Sequence, residues 1–307
     1  MRIVYMGTPE FAVLPLERLC NDGHDIAAVF TQPDKPRNRG MTVSFSPVKE
    51  AALTRSLPVI QPASLKDDTV AQMIRGLEPD VIIAVAYGKL FPKNLLDLTP
   101  FGCLNIHASL LPKYRGAAPI QWAILNGETE TGVTSMVMSE GMDSGDILFS
   151  KKVHIWDDET AGELHDKLSI TAAQLLSETI EALTGGLAVG MPQEHDAATY
   201  APMLTREMSM IDWTEPAINI KRKVRGLNPW PAATAQLGGK TCKILAVDIE
   251  NKDHSHAPGD IVISSRRAIE VACIDGIVII RELQAPGGKR MTSAEYLRGH
   301  FIGGCSL

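Results

Sequence analysis

Two side chains two residues apart, Asn105 and His107, head the chemistry of this chain, in the stretch Asn105-Ile106-His107-Ala108-Ser109-Leu110-Leu111-Pro112. Residues at i and i+2 of a strand share a face, so an amide and an imidazole project together from the end of an apolar run. Both carry N–H donors, the equipment for holding the oxyanion of an acyl transfer. Downstream, Glu140-Gly141-Met142-Asp143-Ser144-Gly145-Asp146 sets carboxylates among glycines that permit a tight turn. A carboxylate beside His107 could orient the ring and keep it charged, or relay a proton through water. There is no G-x-S-x-G elbow, and no cysteine stands next to a candidate base. The attacking group then comes from the substrate, for example an amine, which suits a transferase better than a hydrolase. An isolated N-x-H pair also reads as a turn cap and a satisfied core histidine. The -Ser-Leu-Leu-Pro- loop and the glycine-flanked carboxylate favour the catalytic reading.

To bring these groups to one end of a sheet, the strands must be mainly parallel. The N-terminal half alternates β-rich apolar runs with amphipathic segments, which predicts a Rossmann-like α/β fold with helices on both faces of the sheet. Strands are expected at Arg2–Met6, Asp25–Thr31, Leu57–Ile60, Asp80–Ala86, Cys103–His107 and Thr131–Met138, with Ile147–Ile155 as an added strand. Helices are expected at Phe11–Asn21 and Glu159–Leu183, the second stopped by Gly185-Gly186. The turn after the first strand, Gly7-Thr8-Pro9-Glu10-Phe11-Ala12, has one glycine and an acidic residue where a dinucleotide site needs G-x-G-x-x-G. The architecture survives that test; nicotinamide binding does not.

A chain of 307 residues has room for two domains, and 45% hydrophobic with 21% charged residues is ordinary for a globular protein. No apolar run reaches the ~18 residues of a membrane span. The start reads as a strand and a glycine turn rather than a signal peptide. Cys20, Cys103, Cys242, Cys273 and Cys305 are widely spaced and odd in number, which suits a reducing, cytoplasmic setting and no disulfide framework. His254 and His256 lie in a polar segment and read as solvated loop residues, with no metal expected.

Net charge is −6, but residues 1–205 carry 16 Lys/Arg against 25 Asp/Glu, whereas 206–307 carry 14 against 11. That asymmetry permits a polyanionic partner on the C-terminal part. Within the acidic part, the segment from Gln32 to Lys49 holds Lys35, Arg37, Arg39 and Lys49 against Asp34. It reads as a long loop, either solvated or a phosphate-gripping arm. Residues 1–188 are expected as the catalytic domain, 189–206 as a linker, and 207–307 as a small all-β barrel or sandwich. Its short β-runs are Thr241–Ile249, Gly259–Ser264, Ala268–Cys273 and Gly276–Leu283. A helix at Ile218–Gly226 carries Lys221, Arg222, Lys223 and Arg225. These form a solvated face or, given the charge asymmetry, candidate RNA contacts.

The Asn105–Pro112 stretch with Gly141-Met142-Asp143-Ser144-Gly145 resembles the signature of 10-formyltetrahydrofolate-dependent formyltransferases. Thr31-Gln32-Pro33-Asp34-Lys35-Pro36, Arg115-Gly116-Ala117-Ala118-Pro119-Ile120-Gln121, Ile211-Asp212-Trp213 and Asn228-Pro229-Trp230-Pro231 resemble the members that act on charged initiator methionyl-tRNA. Together the matches run from Met1 to the 290–299 region. The resemblance implies a catalytic trio of Asn105, His107 and Asp143, with Ser109, Leu110, Leu111 and Pro112 holding the folate. It also implies a tRNA-gripping loop with Arg39 as its main contact, an OB-like C-terminal domain against the tRNA, and a monomer. Met41-Thr42-Val43 stands where relatives commonly continue with basic residues, which shifts the loop's dependence onto Arg37 and Arg39.

Other readings share parts of this pattern. A formyltransferase acting on a sugar-nucleotide amine or glycinamide ribonucleotide would keep the trio. So would a formyltetrahydrofolate hydrolase, with water in place of the amine. A non-enzymatic RNA-binding protein with a degenerate core would not be expected to retain it.

Overall fold

The computed structural model describes residues 1–37, 42–265, 268–300 and 302. They form two compact units, one of residues 1–119, 130–154 and 165–202, the other of 120–129, 155–164 and 203–307.

The strands of the first unit are β1 (Arg2–Gly7), β2 (Asp25–Phe30), β3 (Lys35–Arg37), β4 (Thr42–Ser44), β5 (Val59–Ile60), β6 (Val81–Val85), β7 (Cys103–His107), β8 (Arg115–Gly116), β9 (Glu130–Val137), β10 (Ile147–His154) and β11 (Tyr200–Ala201). Seven make one sheet in the order β10-β9-β7-β6-β1-β2-β5. The five from β5 to β7 run parallel; β9 and β10 are antiparallel additions. Ile3–Gly7 of β1 and every residue of β6 are buried, as expected of parallel strands covered on both faces. On one face Val4, Met6, Ile82 and Ala84 pack with Val70, Ala71 and Ile74 of the helix Asp68–Gly76. The chain leaves β1 toward β2 in one direction and returns to β6 on the other side. That reversal makes the carboxyl ends of β1 and β6 the topological switch point, where sheets of this kind seat ligands.

The helix Ala161–Thr184 begins on a capping box. Glu163 accepts from Thr160 N and Oγ1 at 2.8 Å, and Glu163 N donates to Thr160 Oγ1 at 3.3 Å. Gly186, at φ +68°, ends it.

Two expectations change. The segment 32–49 is not one long loop: β3 and β4 pair as a hairpin, and a helix, Pro47–Thr54, starts on Ser46, whose side chain accepts from Lys49 N. A proline at the first helical position reads as a loop mark in sequence, yet it is pre-set for a helix start. Residues 187–202 belong to the first unit: Met191 bridges Ile147, and β11 pairs in parallel with β8.

The second unit's strands are β12 (Ala233–Leu237), β13 (Lys240–Glu250), β14 (Ile261–Ser265), β15 (Ala268–Cys273), β16 (Gly276–Gln284) and β17 (Arg290–Thr292). They form an antiparallel sheet, β12-β13-β16-β15-β14, with β17 also on β16. Register shifts in β13 and β14 curl it, with β12 and β14 as its outer strands. Ala217, Ile220 and Val224 of the helix Ala217–Gly226 close its apolar face with Ile244, Ile280 and Tyr296.

Candidate active site

Asn105 and His107 stand at the end of β7, between parallel β6 and antiparallel β9, where Ala84 and Met136 flank Asn105 and Thr134 flanks His107. His107 is 7% exposed. Its Nε2 lies 2.9 Å from the carbonyl of Tyr114, an acceptor, so this nitrogen carries the proton. Nδ1 faces Asp143 Oδ2 at 3.7 Å. In the imidazolium form both nitrogens donate, one to Tyr114 and one toward the carboxylate; the neutral ring would turn a lone pair on that oxygen.

Asp143 is drawn in from the loop between β9 and β10. Its Oδ1 accepts from Asn105 Nδ2 at 3.4 Å, and its Oδ2 accepts from Gly116 N at 2.8 Å. The structure thus brings Asn105, His107 and Asp143 together. Asp143 sits at φ +49°, in the left-handed region that non-glycine residues seldom adopt. Gly145 makes the turn possible, since a Cβ there would fall 1.8 Å from Val137 O.

The loop after His107 is a packed turn. Ser109 Oγ donates to Lys113 O at 2.6 Å, and Thr134 Oγ1 donates to Ser109 O at 2.7 Å and accepts from Leu111 N at 3.2 Å. Ser109 and Leu111 are therefore buried and engaged by the turn itself, while Leu110 and Pro112 keep exposed surface. Neither hydroxyl nor thiol here is a ready nucleophile. Burial pushes the Cys103 thiol up to about 12, with Asp97 adding to the effect, and Cys103 Sγ points at Leu95 O.

Residues that sequence reasoning passed over complete the site. Gly116 contributes a backbone N–H, Tyr114 a carbonyl, and Arg115 and Gln193 a buried pair beside the Asp143 loop. Backbone groups leave no mark in sequence, and Gln193 lies in a stretch whose composition suggested a linker.

The basic residues divide. Lys35 and Arg37 lie on β3, and Arg39 falls outside the described residues. Lys49 is tied down: its Nζ is 2.5 Å from Asp34 Oδ2 and 2.8 Å from Gln61 Oε1, and it covers the Phe45 ring. Lys49, with Gln61 second, holds the Asp34 carboxyl below the usual range. In the second unit the run 221–225 is no open cationic face. Lys221 pairs with Asp158 at 2.6 Å, and Lys223 Nζ donates to Met210 O at 2.5 Å. Arg225 donates to Trp156 O and Asp157 O, and Arg222 to Asn219 at 3.4 Å. Burial lowers the pKa of Lys223 and of Arg225. The side chains curl back because the acceptors lie outside the run. His254 also differs from a solvated histidine: it is half-buried, with Nε2 at 2.8 Å from Cys273 O and 3.0 Å from Gly276 O.

Comparison with known proteins fits this arrangement. The formyl transferase family model matches residues 1–180, and the model of the formyl transferase C-terminal domain matches 203–301. The methionyl-tRNA formyltransferase of Caldanaerobacter subterraneus subsp. tengcongensis is 48% identical over 303 residues, covering 98% of both chains. That of Acetivibrio thermocellus is 45% identical over 304, covering 99% of this chain and 98% of its own. The Helicobacter canadensis N-formyltransferase, solved with folinic acid and dTDP-3-aminofucose, shares the fold at TM-score 0.70. It is 17% identical, covering 94% of this chain and 99% of its own. HypX from Aquifex aeolicus in complex with tetrahydrofolic acid gives 0.63 at 20% identity, over 97% of this chain and 47% of that one. With matches over both units and close relatives along its whole length, the chain belongs to the formyl transferase family.

Proposed function

We propose that the chain transfers the formyl group of 10-formyltetrahydrofolate to the α-amino group of methionyl-initiator-tRNA, giving N-formylmethionyl-tRNA for translation initiation in the cytoplasm. The observation that carries the chemistry is the convergence of Asn105, His107 and Asp143 at the carboxyl end of β7. The tRNA assignment rests on relatives at 44–48% identity named for that reaction.

The amine nitrogen bonds to the formyl carbon, the bond from that carbon to the folate nitrogen breaks, and one proton passes from the amine to that nitrogen. Asn105 Nδ2 and the Nδ1–H of the His107 imidazolium, which at 3.7 Å is not hydrogen-bonded to Asp143, supply the donors for the oxyanion that forms between these events, Tyr114 O holding Nε2–H. Asp143, lying between donors, offers the carboxylate that receives and returns the proton. The switch point at the carboxyl ends of β1 and β6, beside Asn105 through its register with Ala84, is the seat proposed for the folate, with the partly exposed Leu110 and Pro112 of the turn after β7 as proposed contacts. The sequence segment that includes Lys35, Arg37 and Arg39 supplies cations for the tRNA backbone, with residues 207–307 as a second tRNA-binding part.

The test is formyl transfer from 10-formyltetrahydrofolate to charged initiator tRNA, with free methionine and water as alternative acceptors. Transfer to the tRNA alone is expected; release of formate without tRNA would make the protein a hydrolase.

A further inference from the structure

Gln193 grips the loop that carries Asp143. It is 6% exposed, and its amide is fully engaged. Nε2 donates to Asp143 O at 2.9 Å and to Gly145 O at 2.7 Å; Oε1 accepts from Arg115 Nε at 3.2 Å and Nη2 at 2.6 Å. Arg115 is itself 4% exposed, and its Nη2 also lies 3.2 Å from His195 Nδ1. The next residue, Gly116, holds the Asp143 carboxylate through its N–H.

These contacts close a ring. It runs from the carboxylate to Gly116, along the chain to Arg115, through the guanidinium to Gln193, and back to the Asp143 carbonyl. An aspartate in a left-handed conformation stays there only if its surroundings hold it. Here it is held at the carboxylate and at the main chain at once. A group that must meet His107 and Asn105 within a few tenths of an ångström gains most from such bracing.

We propose that Gln193, backed by Arg115, is a positioning residue that sets Asp143 against His107 and Asn105; this rests on the reading of Asp143 as part of the transfer site. The substitution Gln193→Glu separates positioning from packing. A glutamate keeps the acceptor for Arg115, so residues 187–202 stay anchored, but it has no donor for the Asp143 and Gly145 carbonyls.

In the full-length protein, Q193E is expected to lower kcat roughly 10- to 100-fold, the scale of a displacement near 1 Å. KM for both substrates should stay within about threefold, and the thermal midpoint should fall, since two buried carbonyls lose their donor. In an Asp143→Ala background the further loss from Q193E should vanish, because both changes act through one group. A Q193E kcat within about threefold of wild type, or an undiminished loss in the D143A background, overturns the proposal. If Q193E does not fold, Gln193→Ala enters the same cycle under the same kcat criteria. D143A turning over at the wild-type rate removes the underlying reading of Asp143, an outcome that single variant reports by itself.

Discussion

His107 Nδ1 stands 3.7 Å from Asp143 Oδ2, beyond hydrogen-bond reach and within that of an ion pair. Contacts at transfer sites are often long in the free protein and tighten in the complex. The carboxylate meanwhile rests on Gly116 N and Asn105 Nδ2, so closure needs a small rotation rather than a loop rearrangement.

Removing either oxyanion donor should leave a folded, slow protein. Asn105→Ala and His107→Ala are each expected to lower kcat roughly 100- to 1,000-fold, with KM for tRNA little changed. H107A should also lose about 1–3 kcal/mol of stability, because the Tyr114 carbonyl loses its donor in a buried setting. Single-turnover kinetics with thermal melts check both; wild-type turnover in either variant would remove that residue from the chemistry.

Gly116→Ala should damage fold and site together. Gly116 has φ +119°, and a Cβ there would lie 2.8 Å from Ala201 O, so the substitution strains the backbone and pushes β8 off β11. A loss of about 1–3 kcal/mol is expected, with a fall in kcat as the Gly116 N–H leaves Asp143. Gly23→Ala is the control: its φ is +81° with nothing within 4 Å, so it should cost stability and leave kcat alone.

Salt dependence separates RNA contacts from structural cations. Arg37→Ala and Arg39→Ala are expected to reduce the slope of log affinity for tRNA against log salt by about 1 each. Lys49→Met should leave the slope unchanged, because its ammonium already serves Asp34 and Gln61. A flattened slope in K49M would return Lys49 to the tRNA surface.

The Lys221–Asp158 pair should act on stability with a defined pH window. Lys221, by hydrogen bond and charge, holds the Asp158 carboxyl below its usual range. A depressed folded pKa stabilises above the unfolded value, about 3.9, and that gain disappears as pH falls through the folded value. The stability difference between wild type and Lys221→Met should therefore be flat from about pH 5 to 8 and shrink on acidification. Urea melts across pH measure it. A difference that grows on acidification would reverse the sign argued here.

What could be read from sequence depended on what kind of information each residue carries. Asn105 and His107 share a face because β7 has a period of two, and the burial of Val-Ile-Ile-Ala-Val at 81–85 is visible as an unbroken apolar run. Asp143 was legible through its flanking glycines. Gln193 and Arg115, 78 residues apart, were not: no local pattern announces a glutamine that will bridge a guanidinium and two carbonyls. For Lys49 and the 221–225 run, charge counts register the cations, whereas only the fold reveals that Asp34, Asp158 or the Met210 carbonyl already engages them. The hairpin of β3 and β4 was hidden behind prolines that read as loop punctuation.

The pairing of β8 with β11 carries a consequence for the order in which the protein is made. Tyr114 N donates to Thr199 Oγ1, 85 residues later in the chain. At about 5–20 residues per second of synthesis, several seconds separate the two on the ribosome. Within that interval, from residue 143 until residue 193 is added, Asn105, His107 and Asp143 have been translated but Gln193 and β11 have not. On the roles proposed for these residues, a nascent chain halted there would have its reactive groups without the brace at Gln193, and competence would arrive only with the last stretch of the first unit.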